Sequence, residues 1–327
     1  MNRLSSGNLR AEVFFGSTVA SRCGRLLREV MPVYKTLLLV SLLVAVLAPA
    51  AGAIPHEVWP DGRGSYPTIQ SAVNACAASG DAVSIHGGVY HETGIIVSGK
   101  SISMDEYPAE RAYMIAPAPL SGTCVTFNNS SSFTLGSLSF RGYDTGVVVA
   151  SSSGTVQWIT VQACSRGVAI SGTSTATMWY SLVDSCGTAV EIQGGSATLQ
   201  NQTIVHCTTG ALFSGGSATF SRTIVYSCGT GVQCSGGIAS LSCNDFYINT
   251  ADYGGCTAGA GDFSLDPKFC FWKSQAGPYW LHDTSPCLTK ANPSPCNVYI
   301  GAITSGPGCT GTAVEHTTWG SIKNIYR

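Results

Sequence analysis

Charge is scarce in this chain. Only 11% of its 327 residues are Asp, Glu, Lys or Arg, and 17 basic residues stand against 18 acidic ones, a net charge of −1. So few cations cannot build a basic stripe, which excludes nucleic acid and an anionic membrane surface as partners. Long apolar runs are missing as well. The most apolar stretch, Thr36–Leu47, is too short for a comfortable membrane span. There is no Cys-x-x-Cys pair and no Cys-Cys-His spacing, so no metal site and no cofactor is expected.

What the chain has is glycine, 38 residues of it, and a repeat. Turns open at Ala150, Ser171, Gln193, Ser214 and Ser235, at steps of 21, 22, 21 and 21. Cys164, Cys186, Cys207 and Cys228 follow one another at 22, 21 and 21. Both markers place one inserted residue between Ser171 and Cys186. Before each turn lies a short alternating run, which puts Val147/Val149, Val168/Ile170, Val190/Ile192, Ala211/Phe213 and Val232/Cys234 on one face. A unit of this length cannot bury its own apolar face, so copies must stack. The runs are too short for helices, and the fixed Leu and Asn positions of leucine-rich repeats are absent. The prediction is an all-β parallel β-helix, one coil per unit, with equivalent residues about 4.8 Å apart along the axis.

On these residues the chain resembles the right-handed parallel β-helix proteins of the pectin-lyase-like superfamily, from about Ile54 to Cys309. Val58–Val73 is similar to the superfamily's entry segment. Ile69, Ala72, Val73 and Cys76 recur at helical spacing, Thr68 is the expected cap, and Gly80-Asp81 the expected end. This helix should cover the N-terminal end of the solenoid. Gly88-Val89-Tyr90-His91-Glu92 resembles a box of pectin methylesterases. Its expected role here is structural: a turn glycine, an inward Tyr90 and an exposed Glu92. The succession from Asp266-Pro267 through Cys270, Leu281, Ser285-Pro286-Cys287, Ile300-Gly301-Ala302 and Cys309 resembles the closing region of secreted bacterial β-helix proteins.

The expected organisation has four parts. Residues 1–53 form an export signal, with Lys35 before the apolar run and Ala51-Gly52-Ala53 as a small-x-small cleavage site. Met31 is an alternative start, and a membrane-anchored N-terminus the alternative fate. Residues 54–260 form the coils and their N-terminal cap, 261–313 a cysteine-rich C-terminal cap, and 314–327 a tail that either packs on the cap or acts as a sorting tag. Fourteen cysteines fit an oxidising compartment. Cys243, Cys256, Cys270, Cys287, Cys296 and Cys309 are the candidate disulfide formers of the cap, in unassigned pairs. The ladder cysteines are expected to point inward, with one or two bridges among them, since stacked Cα atoms lie within disulfide range.

The superfamily's lyases use calcium-binding Asp residues and an Arg base, and its hydrolases and esterases use paired Asp. Two carboxylates at one angular position on neighbouring coils must stand 21 or 22 residues apart, or twice that. Asp144, Asp184, Glu191, Asp245 and Asp252 contain no such pair. Arg141, Arg166 and Arg222 are also out of step, and His206 reads as a lone imidazole. No catalytic residue is assigned. Exposed aromatics are the remaining candidates for sugar contact: Trp158, Trp179, Tyr180 and Tyr226. The competing and favoured reading turns Trp158 into the core and seats Trp179 at the inserted residue. The expected role is therefore that of a secreted or cell-surface binding or structural protein, free of the membrane after signal cleavage. Its expected partner is an extracellular polysaccharide or another cell-surface component. A polysaccharide lyase or hydrolase is the alternative.

Overall fold

A computed structural model describes residues 55–77, 79–270, 279–289, 291–292 and 296–303. The expected export segment, Met31, Cys309 and the tail after 313 lie outside the described residues.

Strands dominate, and all strand-to-strand ladders are parallel. Three sheets run the length of the solenoid, and the chain visits them in rotation, so each sheet gains one strand per coil. The first is nine-stranded, from β1 (Pro55–Val58) and β2 (Ser79–Ile85) through β14 (Thr175–Trp179) to β23 (Ile238–Ser242). The second has eight strands and includes β15 (Leu182–Asp184), β18 (Thr203–Val205) and β24 (Asp245–Tyr247). The third also has eight and includes β13 (Arg166–Ser171), β16 (Thr188–Ile192) and β22 (Thr230–Cys234).

The inward ladders are those the alternation predicts. Val147, Val168, Val190, Ala211 and Val232 pair in register, and each is fully buried. Burying each valine stabilises the fold by about 1.5–3 kcal/mol. Stacking enforces small residues where a ladder is crowded. At Gly154 a Cβ would collide with the carbonyl oxygen of Phe133 on the coil below. The inserted residue falls in the turn 172–174, because Ala150 pairs with Ser171 whereas Ser153 pairs with Thr175. Trp179 is in register with Gln157 and Gln200, so it does not sit at the insertion.

Corners between sheets are turned by left-handed residues that themselves stack. Ser137, Trp158, Tyr180, Asn201, Arg222 and Cys243 share φ of 49–58°. A second column holds Ala163, Ser185, His206 and Ser227 at 52–56°.

The N-terminal end is closed by β1 and by a short helix, α1 (Ile69–Ala75). Thr68 caps it in a capping box with Ser71, and Ile69, Ala72 and Val73 enter the core. Glu92 is half-buried rather than exposed, since its carboxylate accepts from the Ile69 and Gln70 amides at the helix start. Tyr90 points inward as expected, and its hydroxyl donates to the Val58 and His86 carbonyls. The methylesterase-like box thus serves the cap.

After Gly261 the chain returns along the outside of the second sheet. Tyr279, Leu281, Cys287 and Ile300 cover its apolar outer face, which comprises Leu182, Val205, Ile224 and Tyr226. Asn201 donates to the Tyr299 carbonyl, and the Ala302 amide donates to the Thr203 hydroxyl.

Cysteines divide by position. Cys234 is bonded to Cys256 and Cys243 to Cys296, and Cys270 is also disulfide-bonded. Cys287 is a free, buried thiol that donates to Asp245, so it leaves the candidate disulfide set. The ladder cysteines Cys164, Cys186, Cys207 and Cys228 do point inward, but none is bridged. Facing each other inside the stack, they pack as small apolar groups, and the Cys186 amide donates to the Cys207 sulfur. The disulfides fit a non-reducing environment. No helix among the described residues is long and apolar enough to cross a membrane.

Candidate functional site

Over the five coils from Ser132 to Ser221 the outer face of the first sheet is an uncharged array, and the coil before it places Asp105 beside Gly136. One column runs Ser132, Ser153, Thr175, Ser196, Ser217, and the next runs Thr134, Thr155, Thr177, Thr198, Thr219. The third column is Gly136, Gln157, Trp179, Gln200, Ser221. Columns repeat about every 4.8 Å along the axis and stand about 7 Å apart across it. Period-two alternation explains the pattern: the intervening Ala176, Ala197, Ala218 and Met178, Leu199, Phe220 face the core.

Three aromatic rings stand at the border of this array. Trp158 is 54% exposed, Trp179 41% and Tyr180 38%. Trp158 and Tyr180 occupy the corner column on adjacent coils, and the Trp158 amide donates to the Trp179 carbonyl, which ties the group together. Trp158 therefore does not enter the core. A left-handed conformation costs a bulky side chain about 1 kcal/mol or more, and here it holds two rings at the surface. Tyr226 departs from the expectation. It is only 4% exposed, because the returning C-terminal segment covers it, with Phe269 edge-on at 5.4 Å. Its ring therefore lies beneath the C-terminal segment and not at the surface with the other three.

A second group was hidden in the sequence. Asp184 on β15 and His206 just after β18 are 22 residues apart and lie on neighbouring coils. His206 Nδ1 is 3.2 Å from Asp184 Oδ1, and the Tyr279 hydroxyl donates to Oδ2 at 3.0 Å. Burial alone would push the Asp184 carboxyl up. Hydrogen bonds from His206, Ser185 and Tyr279 outweigh it and hold the group below the ordinary carboxylate range. Burial, together with the Asp184 charge, pushes the Tyr279 phenol up, so Tyr279 stays a donor. A carboxylate-oriented, partly exposed imidazole is an arrangement that can take up a proton. A comparison of unlike residue types at the repeat step would have found the pair.

Arg166 is engaged on both sides, 3.3 Å from Asp144 and 3.6 Å from Glu191. It is thus not free to neutralise an acidic substrate. An open groove of about 740 Å³, lined by Pro117, Leu120, Arg141, Ser165 and Ser185 among others, runs along the second corner column.

Comparison with protein-family models and with curated proteins finds no match.

Proposed function

We propose that this is a secreted or cell-surface, right-handed β-helix protein, akin to the pectin-lyase-like superfamily, that binds polysaccharide without cleaving it. One observation carries the reading: Trp158, Trp179 and Tyr180 are exposed together beside a hydroxyl and amide array free of charge. Sugar rings present apolar faces that stack on indole and phenol, and hydroxyl edges that hydrogen-bond to Ser, Thr and Gln. A polysaccharide lying along the solenoid would meet the hydroxyls at a regular step and the rings on two adjacent coils. Retention of the protein in polysaccharide-containing affinity gels tests it. The Trp158→Ala/Trp179→Ala variant is expected to run unretarded while keeping its circular dichroism. Full retention by that variant would refute the assignment.

The Asp184–His206 pair favours a second reading, a lyase or hydrolase whose base is His206. Absorbance at about 235 nm for unsaturated products and a reducing-end assay decide between the two. Turnover that His206→Ala abolishes would favour the enzyme.

A further inference from the structure

Beneath the N-terminal cap, three unlike donors converge. Among the described residues a single group of three or more His, Cys, Asp or Glu side chains has the proximity needed to share an ion: His56, Cys76 and Asp81. Their nitrogen, sulfur and oxygen atoms all lie within 4.8 Å of one another. All three residues are more than nine-tenths buried, at 6%, 4% and 7% exposure. They come from three elements: His56 from β1, Cys76 from the C-cap of α1, and Asp81 from β2.

We propose that this cluster is a structural site for a divalent transition metal of the zinc class, which pins β1, α1 and β2 together. The donor set carries the choice. An imidazole, a thiolate and a carboxylate are the three ligand types zinc accepts, and hard cations such as calcium and magnesium do not select thiolate. One pair of the three already has the spacing required. His56 Nε2 and Asp81 Oδ2 are 3.1 Å apart. Two ligands held at about 2.0–2.1 Å in a tetrahedron stand roughly 3.3 Å apart.

The supporting groups match as well. The Tyr66 oxygen lies 2.7 Å from His56 Nδ1. With a metal on Nε2, Nδ1 carries the proton and donates to Tyr66, which fixes the ring. The Ala77 amide donates to Asp81 Oδ2 and aims that carboxylate into the cluster. Thiolate and carboxylate together offer two negative charges to a dication. The Lys100 ammonium, donating to the Cys76 carbonyl, stands outside the donor set.

The ligands are 20 and 5 residues apart, outside any zinc-finger spacing, so motif reading passes over them. The test uses the full chain, stripped with a chelator and titrated with Co²⁺ as a spectroscopic substitute. The expected result is one equivalent bound, a thiolate-to-cobalt charge-transfer band with the visible absorption of tetrahedral cobalt, and displacement by Zn²⁺. Cys76→Ser should lose the charge-transfer band. His56→Gln should lose binding, and Tyr66→Phe should weaken it about 10–100-fold without moving the band. Cys124→Ser, at another buried free thiol, should keep the band. Absence of the band and of bound metal in the folded wild-type chain overturns the proposal whatever the variants do. Persistence of the band in Cys76→Ser or His56→Gln overturns it equally.

Discussion

His206 Nδ1 stands 3.2 Å from Asp184 Oδ1 across the gap between two coils, in the corner that the C-terminal segment roofs with Tyr279. The contact has a pH signature. Asp184 is held below its ordinary value in the fold, against about 3.9 unfolded. A depressed carboxyl contributes stability above the unfolded value, and that stability is lost as pH falls through the folded one. Asp184→Asn is expected to cost about 1–3 kcal/mol at neutral pH. The cost should shrink as pH falls below the unfolded value and through the folded one. Urea midpoints at neutral and at acid pH check this; an equal loss at both would contradict it.

Asp245 lies on the same sheet and titrates with the opposite sign. It is fully buried beneath the C-terminal segment, accepts from the Leu265 amide, and takes the Cys287 thiol at 3.1 Å. Burial pushes its carboxyl up to about 7, and two hydrogen bonds offset only part of the effect. Between about pH 4 and pH 7 the native state keeps a proton that the unfolded chain releases. This group therefore lowers stability as pH rises through that window, and the loss is complete above it. Asp245→Asn should remove the slope and raise the melting temperature at about pH 8 relative to wild type. A parallel pH profile for the two proteins would refute it.

The alternation along the third sheet can be tested at adjacent residues. Phe213 is buried and packs edge-on against Phe220, 6.2 Å between ring centroids, while Leu212 faces outward and is half-buried. Phe213→Ala should cost about 3–5 kcal/mol, the range for a large core deletion. Leu212→Ala should cost a small fraction of that. Chemical denaturation of both variants reports the ratio, and similar losses would mean the ladder is not the core.

The coils were legible because one repeat step encodes both strand pairing and burial, so Val168, Val190 and Val232 announce each other. The aromatic site was only half legible. Trp158 and Tyr180 share the 22-residue step, but their exposure depends on a left-handed corner that alternation does not describe. Tyr226 looked equivalent and is not, because the segment covering it has no periodicity to read. Asp184 and His206 stood at the repeat step all along, hidden by comparing acids only with acids. His56, Cys76 and Asp81 belong to the irregular cap, where no repeat relates distant residues. Their meeting depends on how a helix and two strands close the end of the stack.

Cys234 and Cys256 illustrate stacking put to covalent use. They are 22 residues apart, one on β22 and one on the coil above, with Cα atoms 5.1 Å apart. Neighbouring ladder cysteines keep the same step and remain thiols deep in the core, whereas this pair ties the last coils, where among the described residues no further strand shields the third sheet's edge. Closing a loop of this length removes unfolded-chain entropy worth about 3 kcal/mol. Cys234→Ser/Cys256→Ser should therefore lose about that much stability. The loss should concentrate at the C-terminal end. Hydrogen exchange of the Val232 and Tyr253 amides should accelerate markedly, while that of Val147 and Val168 stays near wild type. Uniform acceleration along the solenoid would instead mean that the bridge stabilises one all-or-none unit, not its final turn.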